Sequence, residues 1–294
     1  MKKIAVIGSI NMDLSCTADR HPGKGETVSG QDLKYIPGGK GANQAVAAAR
    51  LGGNVTMFGC VGDDPFGQRL LDNLRKNGVN TDFVRTVSGI SSGIAMITVA
   101  QRDNAIVVIP GANGCVTPEY LEEVKVDLLK ADILVVQNEI PKQTVLAVGE
   151  LARKNGQVLI YNPAPAMPID REILETVTYL TPNEHEAALL FPEISGLDAQ
   201  LKAMEGRLII TLGAEGAAAL IDGQTRKIPT RKAKVVDTTG AGDTFNGCLA
   251  YAIANDFPLD RALSFANVAA SLSTEGYGAQ GGMPTLDEVL GEMK

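Results

Sequence analysis

Hydrophobic residues along the chain fall into short continuous runs that alternate with helical patterns. The run Lys3–Ile7 is apolar after its first residue, which is typical of a strand buried on both faces. The Ala-rich segment 41–51 has no helix breaker and is followed by Gly52 and Gly53, so it predicts a helix. We expect further strands at 55–59, 133–136, 158–161, 179–180 and 208–211, and further helices at 66–76, 118–129, 142–154, 184–190, 243–255 and 259–273. This alternation predicts an α/β fold with a parallel sheet covered by helices on both faces.

Two stretches near the start of the chain break this alternation. Residues 13–36 show no helical pattern but have β-type pieces around 26–28 and 33–36. Residues 91–109 predict a hairpin, with strands at 93–100 and 105–109 and a turn at 101–104. No repeat or linker divides the chain. We therefore expect one domain over 1–294, with a small β-sheet lid built from parts of 13–36 and 91–109.

Composition and charge exclude several classes of protein. A chain of 294 residues can bury about three quarters of its surface, so its core needs no disulfide or metal. With 27 Lys and Arg against 34 Asp and Glu, the net charge is −7 and no basic cluster occurs, which argues against a nucleic-acid partner. No apolar run approaches a membrane span, and the N-terminal run is too short for a signal peptide. The four cysteines form no CxxC pair, so we expect a cytoplasmic protein with reduced thiols and no membrane partner.

Several common catalytic motifs are missing from the sequence. The only histidines are His21 and His185, and Leu189 stands where a zinc-binding HExxH motif would need its second histidine. There is no GxSxG elbow for a serine nucleophile and no GxxxxGK[ST] phosphate loop. The first strand leads to Gly-Ser-Ile-Asn and not to the dinucleotide fingerprint GxGxxG.

Two glycine-rich clusters stand at predicted helix starts. In DTTGAGDTF at 237–245, Gly240 and Gly242 let successive N–H groups converge at the positive end of a helix, where they can bind phosphate. Asp243 lies in the first turn and can accept a proton from an attacking hydroxyl. GxGD alone is also, and more often, an ordinary turn with an acidic residue at a helix start. The second cluster, PGGKGANQ at 37–44, suits an anion or a polyol through Lys40 and Asn43, but it is as often a plain connection.

Polar residues also follow predicted strands at the edge where open α/β sheets bind ligands. Asn11 and Asp13 follow the first strand and suit the adjacent hydroxyls of a polyol, although an Asx-turn explains them equally well. Glu139 is similarly placed after the strand at 133–136. Asn183 and Glu186 stand three residues apart at a helix start and can face one site, although a helix cap explains Asn183 almost as well.

The order of these motifs resembles that of the ribokinase-like (PfkB) family of carbohydrate kinases. The resemblance runs from Ile4 to Pro284 and rests on NxD at 11–13, GGKGAN at 38–43, NPAP at 162–165, PNEHE at 182–186, TLGxxG at 211–216 and DTTGAGD at 237–243. It implies a doubly wound sheet with a β lid that often serves as a dimer clasp. It also implies phosphoryl transfer from ATP to a sugar hydroxyl, with Asp243 as the base and Gly240, Ala241 and Gly242 as the anion hole.

The resemblance further implies three groups of binding residues. Those for the sugar are Asn11, Asp13, Gly39, Lys40, Gly41, Asn43 and Glu139. Those for ATP are Asn183, Glu186, Thr211, Gly213, Gly216, Gly242 and Asn267, with Asn183 and Glu186 also organising Mg²⁺ through water. Those for a monovalent cation, K⁺ first, are Asp237, Thr239, Ser273, Gly276, Gly278 and Gly282. The chain departs from the family pattern on the nucleotide side, because 186–208 is short and Asn267 replaces a residue that is often His.

Within this family the leading hypothesis is a kinase of D-ribose that acts as a homodimer. Asp13, two residues after Asn11, favours a sugar with adjacent free hydroxyls over a deoxy sugar. A nucleoside kinase would want apolar or aromatic lid residues, of which Tyr35 is the one obvious candidate. A kinase of another pentose or ketose, and a non-catalytic sugar-binding protein, stay open as alternatives.

Overall fold

The computed structural model describes residues 1–101 and 103–293. The strands are β1 (Lys3–Ile7), β2 (Asn11–Ala18), β3 (Gly30–Gly38), β4 (Asn54–Gly62), β5 (Asn80–Val87), β6 (Gly93–Ala100), β7 (Asp103–Ile109), β8 (Ile133–Gln137), β9 (Val158–Asn162), β10 (Tyr179–Leu180), β11 (Ile209–Thr211), β12 (Ala217–Ile221) and β13 (Gln224–Ile228). The helices are α1 (Lys40–Arg50), α2 (Pro65–Lys76), α3 (Pro118–Leu128), α4 (Lys142–Asn155), α5 (Arg171–Leu174), α6 (Glu184–Leu190), α7 (Leu197–Ala203), α8 (Ala241–Ala254), α9 (Leu259–Ser273) and α10 (Leu286–Glu292). The strands and helices expected in the alternating part of the chain are confirmed, with small differences at their ends.

A parallel sheet of six strands, in the order β10-β9-β8-β1-β4-β5, occupies the centre of the fold. Ile4 of β1 is paired with Ile133 of β8 on one side and with Val55 of β4 on the other. β1 and β8 are the two central strands. β4 and then β5 lie on the outer side of β1, whereas β9 and then β10 lie on the outer side of β8. The loops after β1 and β8 therefore diverge at the carboxyl edge of the sheet, where such folds bind their ligands.

The two faces of this sheet pack against separate layers of helices. Ile4 and Val6 of β1 lie in a core with α1, α8 and α9, whereas Ala5 and Ile7 lie in a core with α3 and α4. Alternate residues of a strand point to opposite faces, so a strand without polar positions is buried on both. The predicted doubly wound α/β fold is confirmed.

A second sheet, in the order β3-β2-β6-β7, stands apart from the central one and forms the lid. Asn11 begins β2 and is paired with both Gly38 of β3 and Gly93 of β6. The Asx-turn interpretation of Asn11 and Asp13 is therefore wrong, because both residues lie in β2 and are paired with β3 on one side and β6 on the other. The expected hairpin forms, but its register closes at Ala100 and Asp103, so the turn is shorter than 101–104; residue 102 lies outside the described residues.

One expected β-type piece, around 26–28, is wrong. The pairing of β2 with β3 ends at Ala18 and Gly30, and the residues between them form the connecting loop. Glu26 closes this loop, because its carboxylate accepts hydrogen bonds from the Arg20 guanidinium and from the N–H of Gly23. An ion pair within the loop thus replaces the cross-strand pairing that a strand would need.

A small antiparallel sheet, β11-β12-β13, carries the chain from β10 towards α8. Of these strands the sequence pattern predicts only β11; elsewhere in the chain it misses β2, β5, α5, α7 and α10. Leu180 and Leu208 form a parallel bridge that joins this small sheet to the edge of the central one. Among residues 1–101 and 103–293, the helices are all too short or too polar to cross a lipid bilayer.

Candidate active site

The turn that leads into α8 requires glycine at the N-cap position, residue 240. Gly240 has φ +78°, and a Cβ there would lie 2.5 Å from the carbonyl oxygen of Ala279. The N–H of Ala241 is hydrogen-bonded within the turn. The N–H groups of Gly242 and Asp243 come next, where a helix has no carbonyl of its own to offer them. Gly242 is exposed, and a Cβ on it would meet no atom within 4 Å, so this end of the helix has room for an anion.

Asp243 lies in the first turn of α8 with its carboxylate turned towards α1. The Nδ2 of Asn43 donates to its Oδ2 at 2.9 Å, and the Nε2 of Gln44 donates to its Oδ1 at 3.1 Å. The side chain is buried, with 6% of the residue exposed. Each oxygen thus receives one neutral amide N–H, which holds the carboxylate in place without neutralising its charge. Such a group can accept a proton from a bound hydroxyl.

The start of α1 is capped from another part of the chain. Its N-cap residue, Gly39, has no side chain to satisfy the first N–H groups. Glu139, in the loop after β8, supplies the missing acceptor: its Oε2 lies 3.0 Å from the N of Lys40 and 2.5 Å from the Oγ of Ser9. The Ser9 Oγ also accepts from the N–H of Gly41 at 3.3 Å. These contacts join the loops after β1 and β8 at the edge of the central sheet.

The ionisable side chains around the start of α1 are mostly acidic. Burial, and then the charges of Glu139 and Asp243, raise the pKa of Asp13 from 3.8 to about 7. Burial works to lower the pKa of Lys40, but the charges of Asp243, Glu139 and Glu186 outweigh it and raise this pKa. The Lys40 side chain is therefore an ammonium group near three carboxyl groups, those of Asp243, Glu139 and Glu186. Donors and acceptors placed this closely suit a ligand that carries several hydroxyls.

Asn11 is held by a residue that the sequence analysis does not single out. The Nδ2 of Asn113 donates to the Oδ1 of Asn11 at 2.6 Å, while the Oδ1 of Asn113 accepts from the N–H of Ile10 at 2.9 Å. Asn113 lies in a short 3₁₀ turn, Gly111–Cys115, directly after the lid strand β7. The bond from Ile10 fixes the orientation of the Asn113 amide, so the Oδ1 end of the Asn11 amide is the end that faces Asn113.

Asn183 and Glu186 form a reciprocal cap at the start of α6. The Oδ1 of Asn183 accepts from the N–H of Glu186, and the Oε2 of Glu186 accepts from the N–H of Asn183, both at 2.8 Å. Burial raises the pKa of Glu186 despite this hydrogen bond and the nearby charge of Lys40. The capping role is therefore real for Asn183, and only its NH₂ group can serve a phosphate oxygen.

The remaining nucleotide residues of the family pattern lie beside the small sheet. Thr211 ends β11 and bridges to Asn183, which brings the turn that contains Gly213 next to the start of α6. Gly213 is exposed, whereas Gly216 is buried against β13. Asn267 is also buried, and its Nδ2 donates to the carbonyl of Ile228 at 2.7 Å. The amide of Asn267 thus supports the strand next to this surface.

The residues of the expected cation site are brought together from two loops. The Oδ1 of Asp237 accepts from the N–H of Thr239 and its Oδ2 accepts from the N–H of Gly278, both at 2.9 Å. Although burial opposes it, these hydrogen bonds lower the pKa of Asp237, so it stays charged. A Cβ on Gly282 would lie 2.0 Å from the carbonyl oxygen of Ser273, so this packing requires glycine. A charged carboxylate next to closely packed backbone carbonyls fits a monovalent cation.

No group of three or more His, Cys, Asp or Glu side chains that could hold a metal ion occurs in residues 1–101 and 103–293. The two cation roles differ in this respect. A monovalent ion can be held by the carbonyls of the two loops, whereas a divalent ion would need the oxygen atoms of a bound nucleotide in addition to Glu186.

Sequence reasoning missed Ser9, Gln44 and Asn113 as parts of the site. Gln44 had a signal, because it directly follows Asn43 in the second glycine-rich cluster. Ser9 and Asn113 had none, since each acts on a partner about a hundred or more residues away: Ser9 on Glu139 and Asn113 on Asn11.

Comparison with known proteins finds relatives along the whole chain. The model of the pfkB family carbohydrate kinases matches residues 1–286. The chain is 48% identical to a ribokinase of Lactococcus lactis, covering 100% of this chain and 98% of that protein. It is also 48% identical to a ribokinase of Bacillus subtilis, covering 98% of each. Among solved structures, a ribokinase of Arabidopsis thaliana complexed with ribose and ATP superposes with a TM-score of 0.92 at 31% identity, over 100% of this chain and 99% of that one.

Proposed function

The chain belongs to the pfkB family of carbohydrate kinases, and on this premise we propose that it transfers the γ-phosphoryl group of ATP to the 5-hydroxyl of D-ribose. The observation that carries the proposal is the convergence of Asp243, Lys40, Glu139 and Asp13 on one point at the start of α8. The relatives that are 48% identical over the full length are ribokinases, which supports ribose as the sugar.

The sugar would lie between the lid and the starts of α1 and α8. Asp13 reaches it from the lid, Asn43 and Lys40 from α1, and Glu139 from the loop after β8. Asn11, Gly39 and Gly41 shape the same wall from the connection between β1 and β2 and from the first turn of α1. A site that pairs each hydroxyl rejects an analogue lacking one, because its own buried polar groups lose their partners. We therefore expect preference for ribose over 2-deoxyribose.

In the chemical step, the 5-hydroxyl oxygen attacks the γ-phosphorus in line with the leaving ADP. A bond forms between that oxygen and phosphorus, the bond from the γ-phosphorus to the bridging oxygen breaks, and the hydroxyl proton passes to the carboxylate of Asp243. The negative charge that develops on the phosphoryl oxygens would face the anion hole at Gly240, Ala241 and Gly242, chiefly the N–H groups of Gly242 and Asp243. Lys40 adds a positive charge on the same side.

ATP would lie along the start of α6 and the turn after β11. Thr211, Gly213 and Gly216 would border the nucleotide, with Asn267 supporting the strand behind it, and Asn183 would donate from its NH₂ group. Glu186 is the residue best placed to hold Mg²⁺ through water, with Asn183 beside it. Mg²⁺ bound to the nucleotide would neutralise phosphate charge during transfer.

A monovalent cation, K⁺ first, would be held by Asp237, Thr239, Ser273, Gly276, Gly278 and Gly282. Its charge would add positive potential behind the start of α8. The carboxylate of Asp237 joins these two loops, and Gly240 packs on Ala279 of the second loop. The cation would therefore order the turn that carries the phosphate-binding amides.

The homodimer is proposed through the lid. Ile106, Val107 and Val108 are half or more exposed on β7, which lies at the edge of the lid sheet. An apolar edge strand of this kind favours pairing with another chain.

The free thiols of Cys16, Cys60, Cys115 and Cys248 support a reducing, cytoplasmic location.

The test of the proposed substrate is a coupled assay of ADP release over ribose, 2-deoxyribose, xylulose, fructose and nucleosides. We expect the highest kcat/KM with ribose. Preference for a nucleoside would contradict the proposal, because a nucleoside kinase needs an apolar site for the base. Sugar binding without turnover of any sugar would indicate a non-catalytic sugar-binding protein.

A further inference from the structure

A chain of buried side-chain amides lies behind Asp243. Gln44 is fully buried, and its Nε2 donates to the Oδ1 of Asp243 and to the Oδ1 of Asn162, both at 3.1 Å. Its Oε1 accepts from the Nε2 of Gln137 at 2.7 Å. The three amides come from α1, β8 and β9, which meet under the start of α8. Both ends of the Gln44 amide are thus used by buried polar partners.

The neighbours of Gln44 allow its amide only one orientation. The carboxylate of Asp243 can only accept, so it requires the NH₂ end. Asn162 donates its own Nδ2 to the carbonyl of Thr181 at 3.1 Å and therefore turns its oxygen towards Gln44. Gln137 offers its NH₂ group to the Oε1 of Gln44. A reversed Gln44 amide would place its oxygen against the oxygens of Asp243 and Asn162, and its NH₂ group against the NH₂ group of Gln137.

Gln137 uses only the NH₂ end of its side-chain amide within the described residues. Its Oε1 is buried and has no hydrogen-bond partner within residues 1–101 and 103–293. A buried acceptor left without a donor destabilises a fold, and an apolar side chain of the same shape would avoid that cost. The side chain contributes one hydrogen bond, to the Oε1 of Gln44. That one hydrogen bond supports the orientation of the Gln44 amide that Asp243 and Asn162 also require.

We propose that Gln44 is a positioning residue for Asp243, and that Gln137 acts through Gln44 by fixing the direction of its amide. The proposal rests on the proposed function, in which Asp243 accepts the proton. Asn43 already holds one carboxylate oxygen, so the bond from Gln44 to the other oxygen stops rotation of the carboxylate. The bond also places an N–H donor, which stabilises negative charge, on the carboxylate oxygen that Asn43 does not contact.

The charged groups that surround Asp243 come from three further elements and the loop after β8. Asp13 faces it from β2, Lys40 from α1 and Glu186 from α6, and Glu139 acts on Asp13 and Lys40. Replacement of Gln44 by methionine exchanges one neutral side chain for another of similar length. It leaves all these charges in place, so a change in the pH profile would report the lost hydrogen bond.

The experiment compares kcat, the KM values for ribose and ATP, and the pH dependence of kcat in Gln44→Met, Gln137→Met and the double variant. In Gln44→Met we expect kcat to fall about 10- to 100-fold, as for a lost hydrogen bond to a charged group. The KM for ATP should stay near that of the wild type, and the acidic limb of the profile should move to higher pH. Gln137→Met should lower kcat and move the acidic limb in the same directions, but by smaller amounts. The double variant should be no slower than Gln44→Met, because Gln137 acts only through Gln44.

Two control variants distinguish a positioning role from a general loss of stability and from failure of the proposed function. Gln157→Met removes a half-buried glutamine whose Nε2 donates to the carbonyls of Leu128 and Ala131, remote from the site, and it should lower Tm without changing kcat. Asp243→Asn tests the proposed function itself. If Asp243→Asn is inactive while Gln44→Met keeps wild-type kcat and an unmoved acidic limb, the positioning role is overturned. Additive losses in the double variant would overturn the link through Gln137, and if Gln44→Met does not fold, an unchanged pH profile in Gln137→Met overturns the proposal.

Discussion

Asp13, the proposed acceptor for sugar hydroxyls, also has a cost in stability for the fold. It lies on the lid strand β2, close to the carboxyl groups of Glu139 and Asp243, and burial adds to their effect. Its pKa of about 7 means that the protein without sugar binds a proton there near neutral pH. Ionised Asp13 is a strong acceptor for sugar hydroxyls. The residue is thus suited to a ligand and poorly suited to the empty fold.

The pH dependence of stability follows from this shift. The pKa of Asp13 is about 7 in the fold against 3.8 as the ordinary value, so the folded state binds the proton more tightly than the unfolded state. Its contribution to stability is therefore greatest below pH 4 and is lost as the pH rises to about 7. We expect Asp13→Asn to remove this loss, so that Tm of the variant exceeds that of the wild type at about pH 8 by more than at about pH 5. Parallel curves of Tm against pH, measured without ribose, would contradict the assignment. The same variant should raise the KM for ribose.

At the scale of elements, the sequence predicted the buried strands and helices well. It predicted poorly the strands that are held mainly by backbone pairing with a neighbouring strand. The apolar run of β1 and the Ala-rich α1 were predictable because each is buried on more than one side. β5 was missed because it is a partly exposed edge strand with many polar residues. β12 was missed because the Ala-rich AAALI has weak β-propensity, and β13 because QTRKI is polar and largely exposed, although Asp222-Gly223 is a hairpin turn signal.

The site shows the same limit. Asn43 and Asp243 were each predictable from a glycine-rich cluster, but their contact joins residues 200 positions apart and follows only from the packing of α1 on α8. Asn183 was predictable both as a cap and as a ligand, and the structure gives it the cap. The choice depended on the position of Glu186 relative to the first turn of α6.

The two loops tied by Asp237 give a prediction at this scale. We expect K⁺ to raise both kcat and Tm more than Na⁺ or Li⁺ at fixed ionic strength and saturating MgATP. Asp237→Ala should lose both effects, because it removes the formal charge and the bond to Gly278. Asp72→Ala, which removes an exposed carboxylate from α2, is the matched control and should keep them. Equal rates and equal Tm in all three salts would exclude the cation site.

In the whole molecule, the candidate site lies where the central sheet, the pair of helices α1 and α8, and the lid meet. The reversal of strand order at β1 and β8 opens the edge of the central sheet, α1 and α8 direct their N-termini into that opening, and the lid brings Asp13 over it. Apolar residues on β7 of the lid are also exposed. The sequence predicted a projecting sheet, because both irregular stretches lie near the start of the chain.

The lid gives a prediction at this scale. Adjacent residues of a strand face opposite sides, so Ile106→Asp with Val107→Asp alters both faces of β7. We expect the wild type to behave as a dimer in light scattering and this variant as a monomer. Val126→Asp, at a residue on α3 that is 69% exposed, is the control and should stay dimeric. A wild type that is monomeric at high concentration would rule out the clasp.

The central claim is that Asp243 takes the proton from the sugar hydroxyl during phosphoryl transfer. Its most direct test is kcat for ribose phosphorylation in Asp243→Asn, with ribose and ATP binding measured on the same preparation by calorimetry. The amide keeps the size of the carboxylate but cannot accept the proton, so kcat should fall by about 10²- to 10⁴-fold while both ligands still bind. If the variant keeps more than half of the wild-type kcat, Asp243 is only an acidic residue at a helix start and the account is wrong.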